Sequence, residues 1–154
     1  MKFLHLTLVV SLSYIYCITP TDTERVFYLE GHTHAIPDST ILYLRQTNIV
    51  VDSTFIVDNK FVFEGEIDEV SEQFVLVRQD TPIYKYIWLE GGTIFIDATE
   101  GEFQESIVTG SDTQLLGDTL ANLLKNAGHG LKSRRIEQKF VFDHPGSVIS
   151  AKLL

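Results

Sequence analysis

From Glu24 to about Val108 the apolar residues come in short runs separated by turn residues, with no recurrence at three and four, which is the spacing of antiparallel strands. Candidate strands cover 25–32, 40–45, 53–57, 60–66, 73–78, 83–89 and 93–97, with a weaker one at 106–108. Two short loops punctuate them. Asp58-Asn59 lies between Phe55/Val57 and Phe61/Phe63, and Gly91-Gly92 lies between Trp88 and Phe95. Both pairs tolerate positive φ, so each predicts a hairpin. In the first hairpin, alternation predicts Phe55 and Val57 facing the core with Phe61 and Phe63, and Glu64 and Glu66 facing out. The expected fold is mainly β: an antiparallel β-sandwich or open barrel of about eight short strands, followed by C-terminal α-helices.

The period changes after Val108. Ser111 precedes Gln114 by the spacing of a capping box, and Leu116, Leu120, Leu123, Leu124 and Ala127 recur at helical intervals. Gly128 and Gly130 stop this amphipathic helix. A second helix is expected over about 132–142, with apolar residues at Ile136, Phe140 and Val141, and Pro145 closes it. Ser147 reads as the cap of a third helix, whose few residues need a surface to dock on. The chain thus divides into residues 1–20, a β-rich domain at 24–110 and a helical extension at 111–154.

Composition agrees with the strand reading: among 154 residues there are 10 Phe and 6 Tyr against a single Met. A chain of this length buries one ordinary core. Charge is unevenly placed. Residues 21–118 hold 19 acidic and 5 basic side chains, whereas 119–154 hold 2 acidic and 6 basic. An acidic β portion repels phosphate backbones, so nucleic acid is not an expected partner. The basic cluster Lys132, Arg134, Arg135 and Lys139 reads as a solvated helix face.

The first twenty residues read as a signal peptide. Lys2 supplies the positive start, the stretch from Phe3 to Leu12 the short apolar run, and Ser11 and Ser13 the small residues of a cleavage site. The run is shorter than the roughly 20 residues a spanning helix needs. The expectation is therefore export, to the periplasm or cell envelope, with membrane contact only through the signal or a lipid anchor. Cys17, the single cysteine, is the lipidation candidate, although Tyr14, Ile15 and Tyr16 are bulky just ahead of it. One cysteine offers no internal disulfide, no Cys-x-x-Cys pair and no cysteine-rich zinc site.

An ordered set of motifs runs through the β region: Val51-Asp52-Ser53-Thr54, then Asp58-Asn59-Lys60-Phe61-Val62-Phe63-Glu64-Gly65, then Trp88-Leu89-Glu90-Gly91-Gly92-Thr93-Ile94, then Gly110-Ser111. The set, with Leu29-Glu30-Gly31 and Ile41-Leu42-Tyr43-Leu44 ahead of it, resembles the domain of unknown function found N-terminal to the thioredoxin-like domain of exported Bacteroidetes-type thiol-disulfide oxidoreductases. The resemblance covers about 25–115. Further on, the segment Phe140-Val141-Phe142-Asp143-His144-Pro145-Gly146-Ser147 is similar to the linker leading into that thioredoxin-like domain, with His144 where Asn is common. The resemblance implies a non-catalytic support or recognition module, partnered by a thioredoxin-like domain following in the same polypeptide or by envelope proteins. It implies no cofactor.

Other constellations are weaker. His32 and His34 share a strand face and could hold a metal only with a third ligand such as Asp38; an exposed strand end accounts for them better, and no metal site is expected. Glu64 or Glu66 with Glu90 would suit a glycosidase pair only in a shared cleft, and solvated strand faces explain them more simply. Ser53, Ser111 and Ser147 lack a nucleophile elbow, and no catalytic residue is assigned. Tyr84, Tyr86 and Trp88 alternate along one strand and share a face. As core they would be structural; exposed beside Phe27 or Tyr43 they would form a ligand-binding surface for sugar or peptide, the role of a stand-alone envelope binding protein.

Overall fold

The computed structural model describes residues 25–69, 71–79 and 81–154. The expected signal peptide and Cys17 lie outside the described residues. Among the described residues eight strands form two four-stranded sheets, followed by three helices, so the fold is mainly β as its pattern requires. The strands are β1 (Val26–Thr33), β2 (Ile41–Gln46), β3 (Ile49–Phe55), β4 (Lys60–Glu66), β5 (Ser71–Arg78), β6 (Tyr84–Glu90), β7 (Gly92–Ala98) and β8 (Ile107–Thr109). One sheet runs β4-β1-β7-β8 and the other β3-β2-β5-β6. All pairs are antiparallel except β1 and β7, which run parallel.

Alternation along the strands builds the core. Phe27 and Leu29 on β1, Leu42 and Leu44 on β2, Phe61 and Phe63 on β4, Phe74 and Leu76 on β5, Ile87 and Leu89 on β6, and Ile94 and Ile96 on β7 all point between the sheets and are buried. Gly31 lies opposite Phe61 in the β1–β4 register. The Phe61 ring occupies the space above Gly31, where a Cβ would sit 1.9 Å from Phe61 Cζ. Glycine is required there by the close approach of the ring.

Neither expected hairpin is one. Val57 and Lys60 exchange two backbone hydrogen bonds, at 2.9 and 3.0 Å, around Asp58 and Asn59, which both take positive φ. The local turn is therefore the one those residues favour. Its flanking strands nevertheless part at once: β3 joins β2 and β4 joins β1 in the other sheet. Phe55 and Val57 are exposed, and the residue between them, Ile56, is fully buried. The reason is that the corner must turn one side chain into the core while the chain crosses between sheets. At Gly91-Gly92 the same thing happens, with β6 pairing β5 and β7 pairing β1 and β8. Consecutive strands do pair as hairpins at β2–β3, through Thr47-Asn48, and at β5–β6, and β3 starts at Ile49 rather than Ser53.

The helices are α1 (Asp112–Ala127), α2 (Leu131–Asp143) and α3 (Val148–Leu153). Gly110, at φ +87, lets the chain turn into α1 against the Thr93 carbonyl, which a Cβ would meet at 2.2 Å. Ser111 Oγ then accepts from the Gln114 N–H at 3.0 Å. The reciprocal half of the capping box is replaced: Gln114 turns its side chain to the sheet. Trp88, Leu120, Phe140 and Ile149 form a second, smaller core that pins the three helices to the outer side of β6. The short α3 is docked there through Ile149.

Candidate functional site

Strand β6 carries the aromatic strip. Tyr84, Tyr86 and Trp88 point to the outer face of the second sheet, as their alternation requires, but their surroundings differ. Tyr84 is 47% exposed and Tyr86 54%, whereas Trp88 is 6% exposed beneath the helices. The two tyrosine rings meet edge to face with centroids 5.3 Å apart. The strip is thus divided between an exposed pair and a structural anchor. Of the two residues proposed to lie beside it, Phe27 is in the sandwich core, whereas Tyr43 continues the outer face, since Tyr84 pairs with Val77 and Val77 with Tyr43.

A groove of about 680 Å³ opens between the tyrosine pair and the helices, lined by Tyr84, Tyr86, Trp88 and Lys85 from β6 and by residues of α1 and α3. Lys85 Nζ donates to the carbonyls of Gln104 and Ser106, at 3.1 and 2.7 Å. Burial lowers its pKa, and the Asp118 carboxylate partly opposes this. Gln114 spans the groove wall: its Oε1 accepts from the Trp88 N–H at 2.9 Å, and its Nε2 donates to Asp118 Oδ1 at 2.9 Å. Lys152 Nζ of α3 stands 4.3 Å from the Trp88 ring centroid, a cation–π contact that closes the far side.

A family model described as a domain of unknown function (DUF4369) matches residues 27–116. The chain belongs to the DUF4369 family. No curated protein and no solved structure matches it. The groove is a composite in these terms: β6 and Gln114 lie within the DUF4369 match, and Ile149 and Lys152 lie beyond it.

Several of the remaining candidates make structural contacts in this DUF4369 chain. Glu90 Oε1 accepts from the Asp112 N–H and its Oε2 from Thr113 Oγ1 at 2.8 Å, so the carboxylate caps the first turn of α1. Glu64 and Glu66 line a different cavity, and no described cavity joins either with Glu90. His32 Nε2 lies 2.7 Å from Glu30 Oε1. Asp38 accepts the Asp58 and Asn59 N–H groups at 3.2 and 3.1 Å, holding the corner between the sheets. Among the described residues no three His, Cys, Asp or Glu side chains gather as a metal site. Ser111 and Ser147 are helix caps. Sequence reasoning did not find Gln114 as a sheet contact or Lys152 as the partner of Trp88, because both depend on where the helices fold back.

Proposed function

We propose that this chain is a non-catalytic recognition and support module, exported to the periplasm or cell envelope, that positions a thioredoxin-like thiol-disulfide exchange domain following it in the polypeptide. The observation that carries this reading is the seating of α3. Ile149 and Lys152 pack on and over Trp88, at the rim of the groove that Tyr84 and Tyr86 border. A domain tethered beyond Leu154 starts its path beside the exposed tyrosine pair, and so meets that surface at high effective concentration. The resemblance of the ordered motifs to domains that precede thioredoxin-like domains supports the same reading. The chain supplies no dithiol, so exchange chemistry would reside in the following domain.

A second reading is favoured by the exposure of Tyr84 and Tyr86 themselves: a stand-alone envelope binding protein that stacks sugar or peptide on the pair. The intact mass of the native protein from its cell envelope separates the two. A mass greater by a whole domain supports the positioning role. A mass equal to this chain without its first residues removes it and leaves the binding protein.

A further inference from the structure

Among the described residues the sandwich has four edge strands, and three of them carry features that discourage pairing. On β6 the Trp88 N–H is taken by Gln114, and the strand lies against the 3-10 turn Phe103–Glu105. On β8 there are only three residues. On β4 Lys60, Glu64 and Glu66 are exposed charges of the kind that discourage pairing. β3 is different. It has seven residues with Asp52 its single charge, and Ile49, Val50, Val51 and Phe55 are exposed, Ile49 by 70%. Opposite Tyr43 of β2, the Ser53 N–H is met by the neighbouring Asp52 Oδ1 at 2.7 Å and not by a strand. Among the described residues no strand pairs with the outer side of β3, and the acceptor that meets the Ser53 N–H is a side chain of β3 itself, which an added strand could replace.

The same strand borders a cavity of about 250 Å³ in the mouth between the sheets, whose lining includes Asp52, Glu64, Glu66, Asp68 and Glu72 and no cationic residue. We infer that β3 is a docking edge for an extended, cationic segment of a partner polypeptide, which adds to the second sheet as a fifth strand. Alternation would place its basic side chains toward this acidic lining and its apolar ones beside Phe55 on the outer face. A second copy of the chain fits less well. Two-fold pairing of β3 with itself would bring two such acidic cavities together, with nothing to neutralise them. The inference stands apart from the role proposed for the tyrosine pair.

The probe is a short fluorescent peptide of alternating lysine and valine, titrated into the full chain and followed by anisotropy. A control peptide of the same sequence carries N-methyl groups at alternate residues, which keeps its charge and removes its ladder hydrogen bonds. Ser53→Pro removes the outward N–H at an edge position that tolerates proline, and Glu66→Lys with Asp68→Lys reverses charge at the cavity. The expected result is that the parent peptide binds, slows amide exchange at Ser53, and weakens by at least about tenfold with the N-methyl control, with S53P and with the charge reversal. Equal binding of the two peptides to the unaltered chain would reduce the effect to charge attraction and overturn the inference, whatever S53P does to folding. So would failure of the parent peptide to bind at low salt, or self-association of the free chain that S53P abolishes.

Discussion

The backbone N–H of Trp88 donates to the side-chain oxygen of Gln114 in a buried contact 2.9 Å long. Trp88 stands on an edge strand, so its N–H has no neighbouring strand to receive it, and a side chain from α1 takes the place of that strand. One hydrogen bond closes the edge of the sheet and fixes the helix beside it.

Replacing Gln114 with Leu keeps much of the volume and leaves the Trp88 N–H buried without an acceptor. The expected cost is about 1–3 kcal/mol, read as a lower urea midpoint with an unchanged slope. Amide exchange at Trp88 should rise in the same variant.

Gly31 and Phe61 form a cross-strand pair in which the ring lies where a side chain would be. Gly31→Ala should destabilise by about 1–3 kcal/mol through overpacking. In a Phe61→Leu background the same change should cost less, and the coupling in a double-mutant cycle measures the contact.

The aromatic strip should divide energetically as it divides in space. Tyr86→Ala, on the exposed side, should alter folding stability by no more than about 0.5 kcal/mol. Trp88→Ala should cost about 3–5 kcal/mol, because it empties the core that holds α1, α2 and α3. Parallel urea titrations of the two variants check both values.

Lys85 confers a pH dependence on stability. Its folded pKa is lowered from the ordinary 10.5 mainly by burial, with Asp118 opposing. Below the lowered value both folded and unfolded chains hold the proton, and the folded state bears the full cost of burying the charge. Between that value and 10.5 the unfolded chain binds more protons, so stability rises with pH until both forms are neutral. Urea midpoints of the unaltered chain should therefore climb relative to Lys85→Met as pH rises from neutral toward 10.5.

Local chemistry was legible wherever a residue answers mainly to its neighbours in sequence. The alternation of Phe61 and Phe63 with Val62 and Glu64 gave both the strand and its buried side, and Ser111 capped the helix that the leucine spacing announced. Asp58 and Asn59 took the positive φ their side chains permit. The error lay in what such a turn joins. Two strands on either side of a tight turn pair only if nothing else competes, and here Ile56 is drawn into the space between two sheets and the chain at Gly92 crosses from one sheet to the other. The parallel partnership of β1 and β7 spans most of the domain, and no local pattern records it.

By itself, then, the sequence determined the strand and helix content, the faces of most strands, the caps and the uneven charge, because these follow from backbone periodicity and side-chain chemistry within a few residues. The tertiary structure alone decided which strands share a sheet, that Trp88 is an anchor while Tyr84 and Tyr86 stay exposed, and that among the described residues β3 is an edge beside an acidic cavity. Those outcomes depend on contacts between distant segments. Such contacts form by whichever pairing buries the most apolar surface while satisfying the backbone, and a linear pattern does not contain that competition.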